Sequence, residues 1–168
     1  YSSSAASDVY KRQINDLLHE LTEESNVPLT SILEISIVAN PVMHHILLGI
    51  DPCELGGAPF SLAIDTSVSE AAVNFGLNIN PGGKVYVLPC IAGHVGADTA
   101  GVILSEKPFS NEDLTLLVDV GTNAEVVLGN SKRLLACSSP TGPAFEGAQI
   151  SCGPVSYTHL TLPTKSSG

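Results

Sequence analysis

Basic residues are scarce in this chain: seven Lys and Arg stand against seventeen Asp and Glu, a net charge of −10. Such a balance argues against nucleic acid or an anionic membrane surface as the partner. No apolar run approaches the ~20 residues that a membrane span requires. Cysteine pairs at Cys-x-x-Cys spacing are missing too: Cys53, Cys90, Cys137 and Cys152 are widely separated. They are expected to be reduced, buried thiols of a cytoplasmic protein rather than disulfides or metal ligands.

Two stretches lack the hydrophobic period of the rest. The opening YSSSAASDVYKRQ and the closing PVSYTHLTLPTKSSG resemble translated sequencing adaptor. Residues 1–13 and 154–168 are therefore expected to be tails outside the fold, and the chain an internal piece of a longer protein. The segment between them is long enough for roughly one domain with a sizeable core.

Ile14, Leu17, Leu18 and Leu21 recur at helical spacing until Asn26 and Pro28 end the helix. EISIVAN is a nearly continuous apolar run, predicting a strand covered on both faces in a parallel sheet. Asn40 suits an N-cap and Pro41 a first helical turn, so PVMHHILLG is predicted to run as a helix from the strand's carboxyl end. A mixed connection of undecided structure leads to a second apolar strand, KVYVLPC, and the glycine-rich GHVGADTAGVILSE opens another helix. This is a βαβα unit with a right-handed crossover.

From Leu114 the pattern changes. LTLLVDV, AEVVLG and RLLACS are short strands joined by tight turns, an antiparallel meander, and PTGPAFEGA carries a Gly/Pro turn and the start of a helix. Meander strands, then helices alternating with parallel strands, make up a ribonuclease-H-like lobe. Residues 14–108 thus correspond to the second half of one lobe and residues 109–153 to the first half of the next. Two such lobes around a nucleotide cleft give the α/β actin-like (ASKHA) fold.

The hairpin Asp119-Val120-Gly121-Thr122-Asn123 admits two readings. In the functional one the turn points into the cleft and its small residues let a phosphate approach. Asp119 then holds a magnesium ion through water, as suits a hard cation that keeps part of its hydration shell. Gly121 permits the turn, and Thr122 and Asn123 donate to phosphate oxygens. In the other reading Asp, Gly and Asn serve only turn geometry.

VDVGTNAEVVLGNSKRLLACSSPTGPAFEGAQISCG closely resembles the second phosphate region of ASKHA ATPases related to the reductive activators of corrinoid proteins. HHILLGIDPCELGGAPF and VYVLPCIAGHVGADTAGVIL resemble the preceding segments of the same family, in the same order. At Ala39-Asn40-Pro41-Val42-Met43 the chain departs from that family's Gly-Asn followed by two small hydroxyl residues. The resemblance implies an activator that binds ATP and Mg2+ and helps return an inactive cobalt(II) corrinoid protein to cobalt(I) for methyl transfer. It further implies an iron–sulfur cluster in an upstream domain, a corrinoid protein as partner, and room for a homodimer. Activators of benzoyl-CoA reductase or 2-hydroxyacyl-CoA dehydratase type share the clamp and stand as an alternative, as does a non-catalytic actin-like scaffold.

In actin-like ATPases the position of Asp98 commonly carries the side chain that orients the attacking water; a plain helix cap is the other reading. Glu146 and Gly142 lie where a loop approaches the nucleotide, although Glu146 also suits a solvated first-turn carboxylate. Adjacent His44 and His45 point about 100° apart on a helix and cannot share one ion, so one is expected packed and the other exposed. His94 lies beside the cleft, either touching phosphate or structural, and Glu125 stands as a turn-adjacent carboxylate.

Overall fold

The computed structural model describes residues 3–121 and 123–141. Helix α1 (Ser3–Ser25) leads to strand β1 (Glu34–Ile37), helix α2 (Pro41–Leu47), strand β2 (Val68–Ala71), the short helix α3 (Ala72–Phe75), strand β3 (Lys84–Val87) and helix α4 (Ala97–Glu106). Strands β4 (Thr115–Val120), β5 (Asn123–Asn130) and β6 (Arg133–Pro140) complete the described order.

The first sheet has the order β1-β3-β2. Strand β3 pairs in parallel with β1, matching Ile35 to Val85 and Ile37 to Val87. It pairs antiparallel with β2, so the undecided connection contains an edge strand running the other way. Val85 and Val87 are fully buried in a core with Leu47, Ala72, Phe75, Leu77 and Ile79. Strand β1, expected to be covered on both faces, is covered on one: Ile35 and Ile37 are half-buried and pack on that core, whereas Glu34 and Ser36 are exposed.

Helix α1 begins earlier than the sequence pattern suggests. Residues 3–13, expected to be a tail, form its first turns. Ser7 is buried and its hydroxyl donates to the Leu47 carbonyl at 3.1 Å, Tyr10 packs against the core, and the Lys11 ammonium sits 5.3 Å from the centre of the Phe75 ring. Ala, Lys, Arg and Gln are good helix formers, so the segment continues the helix. Ile14 and Leu18 pack against the same core, but Leu17 and Leu21 are exposed. Asn15 clamps the helix to the end of α3, its amide donating to the Gly76 carbonyl and accepting from the Asn78 N–H. Asn26, in the left-handed region at φ 55°, ends the helix.

Helix α2 starts as expected: the Asn40 side chain accepts from the Met43 N–H at 2.9 Å and Pro41 occupies the first turn. Both its histidines are buried, against the expectation of one exposed. The turn packs His44 toward β3, where Nε2 donates to the Leu88 carbonyl at 3.1 Å. It packs His45 toward the following loop, where Nδ1 donates to the Pro41 carbonyl at 2.8 Å and Nε2 accepts from the Ala63 N–H at 3.1 Å. The two rings tie α2 to Leu88 at the end of β3 and to Ala63.

The second sheet is the expected meander, order β4-β5-β6 and antiparallel throughout. Asn130 closes the second turn by accepting from the Lys132 N–H. On one face Leu117, Val127 and Ala136 stand in line, followed by Asp119, Glu125 and Ser138. Cys90 is buried, but Cys53 and Cys137 are exposed, against the expectation of buried thiols: Cys53 lies in a short 3-10 turn and Cys137 on the open face of β6. Among the described residues no helix is long and apolar enough to cross a membrane.

Candidate functional site

The carboxyl end of β1, the start of α4 and the β4–β5 hairpin meet at one cavity of about 210 Å3, lined by Asn40, Asp98, Asp119, Gly121, Asn123 and Glu125. A second cavity of about 210 Å3 shares Asn40, Asn123 and Glu125 and extends past Gly93 and His94. The expected site residues Asp98, Asp119, Gly121 and Asn123 are therefore neighbours in space, although Asp98 and Asp119 are far apart in sequence. Thr122, Gly142 and Glu146 lie outside the described residues.

Glycine makes the junction possible. A Cβ on Gly96 would come within 2.7 Å of the Asn40 Cα and 2.8 Å of the Ala39 oxygen, so only glycine lets α4 start this close to β1. The Ala39 carbonyl accepts from both the Ala97 N–H at 2.8 Å and the Asp98 N–H at 3.3 Å. Ala39, which stands where the resembled family has glycine, thus serves through its carbonyl. Gly93 is packed as tightly: a Cβ there would collide with the backbone of Phe60.

The Asp98 carboxylate accepts from the Thr99 N–H at 2.8 Å, a local bond at the start of the helix, while the residue still lines the cavity. Gly96, and not Asp98, is the N-cap of α4, and no side-chain cap bond forms there, so the plain-cap reading of Asp98 does not hold. Asp119 lies opposite Glu125 in the β4–β5 register, and Glu125 lies opposite Ser138. The Ser138 hydroxyl donates to the Glu125 carboxylate at 2.9 Å, which fixes one oxygen of a half-buried side chain. Sequence reasoning gives Glu125 little weight; its spacing from Asp119 across a two-residue turn is the signal that finds it. Asn40 reads from sequence only as a helix cap, and the structure adds its place in both cavities.

Gly121 behaves differently from Gly96. Its φ lies outside the left-handed region, and the nearest atom to an added Cβ, the Asn123 oxygen, would be at 3.5 Å, an ordinary contact. The turn does not require glycine, contrary to the expectation that Gly121 permits it. Its N–H is also engaged, donating to the Asn123 carbonyl at 2.8 Å, and its carbonyl accepts from the Thr141 hydroxyl at 2.7 Å. What Gly121 supplies is bare surface at the cavity.

A family model described as the RACo middle region matches residues 4–107. A second, described as the C-terminal domain of RACo, the ASKHA domain, matches residues 113–159. The chain belongs to the reductive activator of corrinoid proteins (RACo) family. Its α/β fold is correspondingly of the ASKHA, actin-like class. The corrinoid activation enzyme RamQ of Eubacterium limosum is 31% identical over 138 residues, 82% of this chain and 23% of that protein. The [Co(II) methylated amine-specific corrinoid protein] reductase of Methanosarcina barkeri is 24% identical over 162 residues, 91% of this chain and 30% of that protein. A solved structure, the reductive activator for corrinoid, iron-sulfur protein, superposes with a TM-score of 0.73 at 35% identity, over 83% of this chain and 22% of that one. The chain thus spans less than a third of the length of these RACo-type relatives.

Proposed function

We propose that the protein carrying this chain is a cytoplasmic, ATP-dependent activator that reduces a cobalt(II) corrinoid protein to cobalt(I) for methyl transfer, and that the cavity between Asp98 and the β4–β5 hairpin binds the ATP phosphates. The observation that carries the reading is the convergence of Asn40, Asp98, Asp119, Gly121 and Asn123 on one cavity in a chain of the RACo family. The backbone at position 121 does not require glycine, so what Gly121 contributes under this reading is the absence of a side chain at the cavity.

Asp119, Glu125 and the Asn40 and Asn123 side-chain oxygens are hard donors of the kind magnesium prefers. Asp119 would hold Mg2+ through water rather than in a protein cage. The bound ion supplies charge neutralisation to the phosphates. Asn123 and Thr122 donate to phosphate oxygens, Gly121 lets them approach, and Asp98 orients the attacking water. Gly142 and Glu146 belong to the same proposed site. An iron–sulfur cluster in another part of the protein would supply the electron; the described Cys53, Cys90 and Cys137 are separate free cysteines without the spacing a cluster needs. ATP hydrolysis couples that uphill reduction to a downhill reaction.

The test uses the full-length protein with a low-potential reductant and a corrinoid protein, following the cobalt(I) absorption. Cobalt(I) forming only with Mg-ATP, together with phosphate release, is the expected result. Equal reduction without nucleotide would overturn the proposal.

A further inference from the structure

The two cavities are acidic. Among the described residues that line them are the carboxylates of Asp98, Asp119 and Glu125, no Lys or Arg, and one imidazole, that of His94. Several backbone donors around them are already engaged. The Ala97 and Asp98 N–H groups are engaged with the Ala39 carbonyl, the Thr99 N–H with the Asp98 carboxylate, and the Gly121 N–H with the Asn123 carbonyl. A polyphosphate in this groove meets three carboxylates, so a hydrogen-bonding side chain there carries weight.

His94 is held in place for that task. Its ring stacks on Phe60 with centroids 4.4 Å apart and planes tilted by 56°, a favourable aromatic geometry. Gly93 presses so closely on the Phe60 backbone that no side chain fits between them. Phe60 itself adopts the left-handed region at φ 57°, a conformation that non-glycine residues rarely take without a compensating contact. The loop around Phe60 is in turn anchored by the buried His45, which accepts from the Ala63 N–H.

Resting on the reading of the groove as the nucleotide site, we infer that His94 is the phosphate contact contributed from the β3–α4 turn, and that Phe60 is the residue that positions it. Phe60 touches the imidazole and acts through it.

The inference is tested by calorimetric titration of the full-length protein with Mg-ATP. His94→Ala should weaken binding roughly tenfold or more, the scale of one lost charge-assisted hydrogen bond, without lowering the nucleotide-free melting temperature. His94→Gln, which keeps a donor, should recover part of the loss. Phe60→Leu should weaken binding several-fold in the native background and not at all alongside His94→Ala, because the double-mutant cycle isolates an effect passed through the imidazole. The 15N resonances of the His94 ring should shift on addition of Mg-ATP. A native protein that binds Mg-ATP and a His94→Ala variant that binds it equally well would overturn the inference while leaving the site in place. Weakening that tracks a lowered melting temperature would make His94 structural and overturn it too. A native protein that binds no Mg-ATP would overturn both readings.

Discussion

Gly96 and Asn40 touch backbone to backbone: a methyl group on Gly96 would stand 2.7 Å from the Asn40 Cα, closer than real Cβ contacts allow. Neither the Asn40 Cα nor the Ala39 oxygen belongs to a side chain that can swing aside. Gly96→Ala must therefore lift the start of α4 from β1 and lengthen the Ala97 and Asp98 bonds to the Ala39 carbonyl. The expected cost is about 1–3 kcal/mol, read as a lower denaturation midpoint in the full-length protein. A Gly96→Ala variant of unchanged stability would show that the junction is looser than described.

The buried His44 couples the same region to pH. Burial first, and the neighbouring His45 second, lower its pKa from the ordinary value, partly opposed by the bond to the Leu88 carbonyl. A depressed folded-state value means that the unfolded chain takes up a proton that the folded one refuses. The stability held by neutral His44 is present above the unfolded value of about 6.5 and is lost as pH falls through the lowered folded value. Its Nδ1 has no hydrogen-bond partner among the described residues, so no acceptor there stabilises an added proton. Melting curves between pH 7.5 and 5 should show a falling midpoint, and His44→Gln should flatten that slope while lowering the midpoint at neutral pH. A slope unchanged by His44→Gln would assign the acid sensitivity to other groups.

Much of this geometry is legible in the residues because it rests on local chemistry. Asn40 and Pro41 announce the start of α2 through an N-cap and a proline that lacks the donor a first turn leaves unused. The meander announces itself through tight turns between β-rich runs. Strand β2 is not legible: Val68–Ala71 has no apolar alternation, and it is a strand because β3 offers it an edge. The burial of both His44 and His45 depends on Leu88 and Ala63 arriving from distant segments, which helical spacing alone cannot reveal. Asp98 and Asp119 each stand out as candidates in the sequence, but their approach to a common cavity is a property of how the hairpin sits beside α4. Gly121 is the opposite case. Glycine in a turn suggests a conformational need, and the backbone has none.

Asp119 and Asp98 line one cavity and should fail in different ways. Asp119→Asn removes the negative charge that attracts a hydrated cation. It should weaken Mg-dependent ATP binding about tenfold or more, the scale for groups that act on a metal through its surroundings. Asp98→Asn retains an oxygen that can accept from the Thr99 N–H, so the local bond at the start of α4 survives. It should bind Mg-ATP nearly normally and hydrolyse it about a hundredfold more slowly, as for loss of a proton acceptor. Calorimetry and single-turnover phosphate release separate the two. An Asp98→Asn protein that loses affinity as severely as Asp119→Asn removes Asp98 from the water-orienting role.

Gly121 gives the sharpest separation between a turn and a phosphate loop, because its backbone tolerates a side chain. Among the described residues an alanine Cβ meets only the Asn123 oxygen at 3.5 Å, and φ lies outside the left-handed region, so Gly121→Ala should fold with an unchanged nucleotide-free melting curve. Gly121→Val adds two methyl groups at a position that lines the cavity, where a phosphate would have to approach the bare backbone. The branched side chain is stiff at χ1 and cannot swing clear without leaving its preferred rotamer. The Gly121→Val protein should therefore melt like the native one without nucleotide yet gain little from added Mg-ATP. The native protein at a hundredfold excess over Kd should gain about 2.7 kcal/mol. Comparing the nucleotide-free midpoints first removes the trivial explanation that Val has disrupted the hairpin. Should a folded Gly121→Val protein be stabilised by Mg-ATP as fully as the native one, the Asp119–Asn123 turn is an ordinary hairpin, and the phosphates must bind elsewhere.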